Sequence, residues 1–283
     1  MYRCLSPGAI GIGASFEEGL ALAASNGFQG LELSMGEIAD RAQATSAEAI
    51  RSQLSAAGLE PGGCGLPADF RGSDESHVSG LATLRRLAPI AQEIGCTRFA
   101  TWISPASDTV PFTENFAFHR KRLAPFAAIL GDHGCSLGLE FIGPETLRRG
   151  KEYPFIHTLD GMLELCGACG PNVGLLLDCW HWYTSDGTVA DIRALSPDQV
   201  VYVHVNDAPT GVAVEDQIDN VRCLPGETGV IDICGFLQSL QDIGYDGPIT
   251  PEPFSKKLQG MSPAQAAATA GQSMRKIWEI AGL

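Results

Sequence analysis

Short apolar runs alternate along the chain with longer stretches in which apolar residues recur at helical spacing, and the alternation continues from end to end. The short runs predict strands at GLELS (30–34), LEPGGCGL (59–66), TRFATWIS (97–104), SLGLEFIG (136–143), VGLLLDCW (173–180), VVYVHVND (200–207) and GPITPEPF (247–254). An eighth strand is expected inside RCLSPGAIGIG near the N-terminus. Helices are predicted at about 15–26, 46–57, 76–95, 114–134, 158–169, 189–195, 232–243 and 263–281. Ser46 stands as an N-cap ahead of AEAIRSQLSAAG, and AAG (56–58), EIG (93–95), DHG (132–134) and DIG (242–244) each end a helix on glycine just before a strand. Eight strand–helix units, with no linker or composition break between them, predict an α/β chain folded as one (β/α)8 TIM barrel over residues 1–283. A doubly wound dinucleotide fold is the competitor, but it needs G-x-G-x-x-G after a clear strand, and the glycines here fall at Gly8, Gly11 and Gly13.

In such a barrel the C-terminal ends of the strands carry the active site, so a polar side chain that interrupts an apolar strand there is a site candidate. Glu140 follows SLGL, Asp178 follows VGLLL, His204 follows VVYV and Glu252 follows GPITP. Any one of them alone reads more readily as a salt-bridged or loop-edge group; four at successive strand ends need a partner they can share, because buried unpaired charge is costly. One divalent ion answers that need: three carboxylates carry −3 and the ion +2, leaving about −1. The mostly oxygen donor set suits Mn²⁺ or Mg²⁺, with Co²⁺, Fe²⁺ or Zn²⁺ able to substitute.

Glu140 in LGLEFIGP, Asp178 and His181 in LLLDCWHW, His204 and Asp207 in VHVND, the segment LPGETGVID and IGYDGPITPEPF together resemble the sugar phosphate isomerase/epimerase superfamily of xylose isomerase-like TIM barrels. That group includes ketose 3-epimerases, hydroxypyruvate isomerase, inosose dehydratase and endonuclease IV. The resemblance implies that Glu140 and Glu252 both ligate the metal and exchange protons with opposite faces of the substrate. It implies metal binding by Asp178 and His204, substrate contact by His181, and a grip on substrate hydroxyls by Arg222. A substrate-contacting glutamate six residues after the first metal ligand has no counterpart, since position 146 is Thr and Glu145 falls one residue short.

The same chemistry follows from the donor set. Proton removal beside a carbonyl makes an enediolate whose charge a metal disperses, and a carboxylate base needs a closed, partly apolar pocket. Trp102, Trp180, Trp182 and Phe254 are candidate walls, with plain packing as the equal alternative, and Trp102 is also taken as a substrate contact. Asp207 is a further candidate for substrate binding or for orienting His204, with a turn role ahead of APTG as the competing reading. The basic run RRGK (148–151) is more readily a solvated face than a phosphate site, and His157 is the one remaining histidine on a βα loop.

Charge narrows the partners. Lys+Arg 19 against Asp+Glu 33 gives −14, a field that repels phosphate backbones and anionic membranes. Endonuclease-type repair is set aside on that charge and on a total of six histidines. No run suits a membrane helix, the N-terminus lacks a leader-like pattern, and nine scattered cysteines point to reduced thiols, so a cytoplasmic chain is expected. Cys166-Gly-Ala-Cys169 ends an apolar helical run, which favours packing over redox chemistry. The expected partner is a small carbohydrate, with a homo-oligomer open. The expected function is a metal-dependent sugar isomerase or epimerase; a dehydratase on a keto-sugar or keto-inositol, or a sugar-binding barrel without catalysis, are the alternatives.

Overall fold

The computed structural model describes residues 1–283. Its strands are β1 (Tyr2–Leu5), β2 (Gly30–Glu32), β3 (Glu60–Gly65), β4 (Arg98–Ile103), β5 (Ala106–Ser107), β6 (Ser136–Phe141), β7 (Tyr153–Pro154), β8 (Val173–Asp178), β9 (Val200–Val205) and β10 (Pro248–Pro251). Eight of these close a parallel barrel in the order β1-β10-β9-β8-β6-β4-β3-β2, while β5 and β7 pair antiparallel as a separate two-stranded sheet. Every adjacent barrel pair is parallel, so each connection crosses over through helical structure on the outside. The closed sheet rules out the doubly wound alternative.

The helices are α1 (Phe16–Ser25), α2 (Met35–Ala44), α3 (Ala47–Ala56), α4 (Asp74–Ile94), α5 (Phe112–Gly131), α6 (Leu159–Cys169), α7 (Cys179–Thr184), α8 (Val189–Arg193), α9 (Ile233–Asp242) and α10 (Pro263–Ala281). Local sequence sets their ends. Ser15 with Glu18, and Ser262 with Gln265, form reciprocal capping boxes. The four glycines predicted to stop helices, Gly58, Gly95, Gly134 and Gly244, all take positive φ.

Two helices differ from expectation. α2 follows directly on β2; its buried Met35, Ile38 and Ala39 lie at helical spacing but too briefly to stand out from a polar surround. α7, CWHWYT, was expected to prolong the strand to 180. Instead the chain turns at Asp178, whose carboxylate caps the Trp180 amide, and most of the short helix is buried, so no alternation betrays it.

Register brings the strand ends together. Asp178 pairs with His204 across β8 and β9, Trp102 with Glu140 across β4 and β6, and His204 with Thr250 across β9 and β10. The Glu252 amide continues the last ladder by donating to the Val205 carbonyl at 3.0 Å.

Candidate metal centre at the mouth of the barrel

Glu140, Asp178, His204 and Glu252 converge: one donor atom from each lies within 4.8 Å of all the others. His204 Nδ1 stands 3.6 Å from Glu140 Oε1 and 3.4 Å from Glu252 Oε2. Glu140 Oε1 and His204 Nδ1 are buried and have no hydrogen-bond partner. Orphaned donors of this kind in a buried cluster of three carboxylates and an imidazole fit a divalent cation, which would satisfy them together.

The surrounding groups hold these side chains in place. Asp178 Oδ1 accepts from the Trp180 amide at 2.8 Å and from Asn206 Nδ2 at 2.9 Å. Arg222 Nη1 donates to Asp178 Oδ2 at 2.7 Å and to Glu252 Oε2 at 3.0 Å, while Nη2 donates to Asp219 Oδ1 at 2.8 Å. The guanidinium lies 4.7 Å from the Phe254 ring centroid and 5.3 Å from that of Trp180. Phe254 adopts φ 38°, a costly backbone for a bulky residue.

Environment drives the acids apart. Burial raises Glu140 to about 8, with the Glu252 charge adding to the effect. Burial also opposes charge on Asp178, but Arg222, His181 and His204 outweigh it and hold that carboxyl at about 2. Glu252 is likewise lowered, because His204 and Arg222 overcome its desolvation. His204 is raised despite burial by the flanking Glu252 and Glu140. His181 is pushed down to about 4 by burial, so it is neutral near pH 7. The Gly143 amide donates to His181 Nδ1 at 3.1 Å, which assigns the ring proton to Nε2. That nitrogen lies 3.8 Å from Glu140 Oε1 and 3.3 Å from Arg222 Nη2, so two donors sit side by side facing the acids.

A cavity of about 500 Å³ opens here, with Trp102, Ile142, Lys151, His181, Arg222 and Phe254 among its walls. Trp102 is 48% exposed at the rim, under the Arg71 guanidinium at 4.2 Å. Phe254 lines the cavity as expected, and the other two candidates lie elsewhere. Trp180 is buried behind Arg222, and Trp182 packs on Phe236 with its indole N–H donating to the Thr188 carbonyl at 3.1 Å.

Asp207 is not available to substrate. Its carboxylate is fully buried and accepts from the amides of Ala208 (2.9 Å), Ile231 (3.0 Å), Thr228 (2.9 Å) and Gly229 (2.7 Å). It clamps the loop that follows Arg222. Thr146 donates to the Gln217 carbonyl at 2.8 Å and Glu145 pairs with Arg149, so neither replaces the family glutamate. In the basic run, Lys151 lines the cavity while bonded to Asp108 at 2.6 Å. His157 turns back to its own loop, 2.7 Å from the Phe155 carbonyl. Cys166 Sγ lies 3.2 Å from the Gly174 carbonyl inside the core, as a packing residue does. Asn206 and Asp219, which orient Asp178 and Arg222, carry no sequence pattern that marks them.

A barrel of this strand order with an acid–histidine cluster at its mouth defines a class, and the family model for the xylose isomerase-like TIM barrel matches residues 20–277: the chain belongs to that family. Among its relatives, the 3-dehydroshikimate dehydratase of Pseudomonas aeruginosa is 28% identical over 74% of this chain, which spans only 31% of that enzyme. The inosose isomerase of Halalkalibacterium halodurans is 26% identical over 52% of this chain and 50% of its own length. A xylose isomerase domain protein from Alicyclobacillus acidocaldarius superposes with TM-score 0.87 at 28% identity, covering 99% of both chains. No helix is long and apolar enough to cross a membrane.

Proposed function

We propose that the protein is a divalent-metal-dependent isomerase or epimerase of sugar-like ketones, in which Glu140 and Glu252 exchange a proton with the substrate. The observation that carries this reading is their placement. Two carboxylates from non-adjacent strands flank the same His204 nitrogen at 3.6 and 3.4 Å, at the edge of a cavity of sugar size. A divalent cation held by Glu140, Asp178, His204 and Glu252, with manganese or magnesium best suited to the oxygen-rich set, supplies a Lewis acid for charge developing on substrate oxygens.

The chain's own groups do the rest. One glutamate removes the proton beside the carbonyl and the other returns it, on the opposite face for epimerisation or at the neighbouring carbon for isomerisation. His181 Nε2–H and Arg222 Nη2 present paired donors to a substrate oxygen, and Trp102 and Phe254 keep water from the exchanging proton.

A dehydratase is the second reading, favoured by the Pseudomonas relative's match over 74% of this chain. The same proton removal would then be followed by loss of a β-hydroxyl, protonated by the second glutamate as it leaves. The test is turnover of manganese-loaded protein with a panel of free ketoses, keto-inositols and dehydroshikimate in heavy water. An epimerase or isomerase gives an isomeric product carrying solvent deuterium; a dehydratase gives one lighter by one water. Glu252→Gln should abolish either, and retained turnover in that variant overturns the two-glutamate mechanism.

A further inference from the structure

Glu32, at the end of β2, is a carboxylate that neither the metal cluster nor the proton transfer uses. Its Oε2 accepts from the Tyr202 hydroxyl at 2.9 Å, and that hydroxyl lies 2.8 Å from Thr250 Oγ1. The Tyr202 ring stands edge-on to His204, with centroids 5.4 Å apart, so Glu32 is fixed to the floor of the same site through β9 and β10. Gly63 makes this possible: a Cβ there would meet the Tyr202 ring at 2.8 Å.

The carboxylate lines a cavity of about 290 Å³ together with Trp102, Glu140, His204 and Glu252. It also lines the adjoining groove of about 490 Å³ between the loops that follow β1, β2 and β3. A partly buried carboxylate seeks donors, and no lysine or arginine lines either space. Its other acid, Glu37, is already committed, accepting from the Phe16 amide at 2.9 Å; with Ser15 and Glu18 capping each other, the N-terminus of α1 has no free place for an anion. The cations Arg222 and Lys151 line instead the adjoining cavity, which shares Trp102, Glu140, Glu252 and Phe254 with the smaller one.

We propose that Glu32 is a specificity residue of the site: it accepts hydrogen bonds from hydroxyls at the substrate end remote from Arg222 and restricts that end to neutral polyol groups. The substrate class is thus an unphosphorylated polyhydroxy ketone, with any carboxylate it carries turned towards Arg222 and Lys151. This rests on the sugar-like substrate proposed above.

Calorimetric titration of the manganese-loaded protein with D-fructose and with D-fructose 6-phosphate tests it without requiring turnover. Wild type should bind the free sugar at least about tenfold more tightly than the phosphate ester. Glu32→Gln keeps an acceptor for Tyr202 but loses the charge, and should weaken fructose by about tenfold while leaving the ester unchanged or improved, so that the ratio collapses. Manganese affinity should not change, which separates a local effect from collapse of the site. Should Glu32→Gln fail to fold, Glu32→Asp, which keeps the charge on a shorter stem, is expected to weaken fructose yet still discriminate against the ester. Equal wild-type affinity for the two sugars, no binding of either, or an unchanged ratio in Glu32→Gln overturns the inference; weakened fructose with the ester still bound less tightly in Glu32→Asp supports it, and unchanged affinity for both sugars in that variant overturns it. Absence of deuterium exchange in sugars that do bind counts against the proton-transfer reading alone.

Discussion

Replacing Asp207 with asparagine should unfold the protein more readily without touching the substrate directly. The four amides it serves come from Ala208, Thr228, Gly229 and Ile231, two to each oxygen at 2.7–3.0 Å, and the carboxylate is fully buried. An asparagine keeps one oxygen for two of these donors and turns an NH2 group towards the other two. Hydrogen bonds to a charged group contribute about 1.5–3 kcal/mol each, so the loss of two should cost roughly 3–6 kcal/mol. That is a large part of the 5–15 kcal/mol typical of a whole domain. Urea unfolding of the metal-free variant reads the total. Hydrogen exchange localises it, since the amides of Thr228, Gly229 and Ile231 should lose protection before the barrel strands do.

The same bonds bear on the site. The backbones of Asp207 and Cys223 pair at 2.8 and 3.0 Å, directly after Arg222, so loosening the clamp should also loosen the guanidinium that holds Asp178 and Glu252. The reasoning fails if the variant unfolds within about 0.5 kcal/mol of wild type, the range of an ordinary surface change. A raised KM with unchanged stability would instead return Asp207 to the role of substrate contact.

Manganese at a hundred times its dissociation constant should stabilise the protein by about 2.7 kcal/mol, and His204→Gln should lose most of the gain; equal melting shifts in both proteins would place the ion elsewhere. Arg222→Met leaves the buried Asp178 and Glu252 without their cation and should cost about 3–5 kcal/mol in the metal-free protein by chemical denaturation, a cost that an unchanged midpoint would disprove. The metal-free protein should also lose stability on the alkaline side. Glu140, at about 8, holds its proton more tightly when folded, so its contribution is complete below its ordinary 4.5 and drains as pH rises through about 8; the raised His204 acts in the same direction. Melting temperatures of Glu140→Gln across this range should fall less steeply than those of wild type, and parallel curves would refute the assignment.

The barrel strands and most helices were legible because barrel strands buried on both faces read as apolar runs, and because glycine stops recur at αβ junctions; the two-residue strands β5 and β7 are too short to show a pattern. α7 was not, since a helix of Cys, Trp, His, Trp, Tyr and Thr that is mostly buried shows neither periodicity, and bulky aromatics resemble a strand's continuation. Four of the residues brought together at the mouth follow from one signal, a polar side chain breaking an apolar strand. Arg222 came only through resemblance, on a loop whose path no local pattern sets. Glu32 in GLELS carries the same signal as the four but lay outside the family motifs. Asn206 and Asp219 act by position alone.

Asp178 and Asp207 show why that signal is incomplete. Each is a fully buried aspartate at the end of a barrel strand, and in sequence nothing separates their needs. Their neighbours do. Asp207 meets four backbone amides, which saturate a carboxylate and leave it to build a loop. Asp178 meets one amide, one asparagine and one arginine, alongside Glu140 Oε1 and His204 Nδ1, which have no partner at all. Strand-end polarity therefore says that a buried group must be satisfied. Unsatisfied buried atoms mark where a cation would fit only when they converge with other ligand atoms, as Glu140 Oε1 and His204 Nδ1 do with Asp178 and Glu252, whereas the unpaired atoms of Trp180, Gln217 and Ser239 lie outside that cluster.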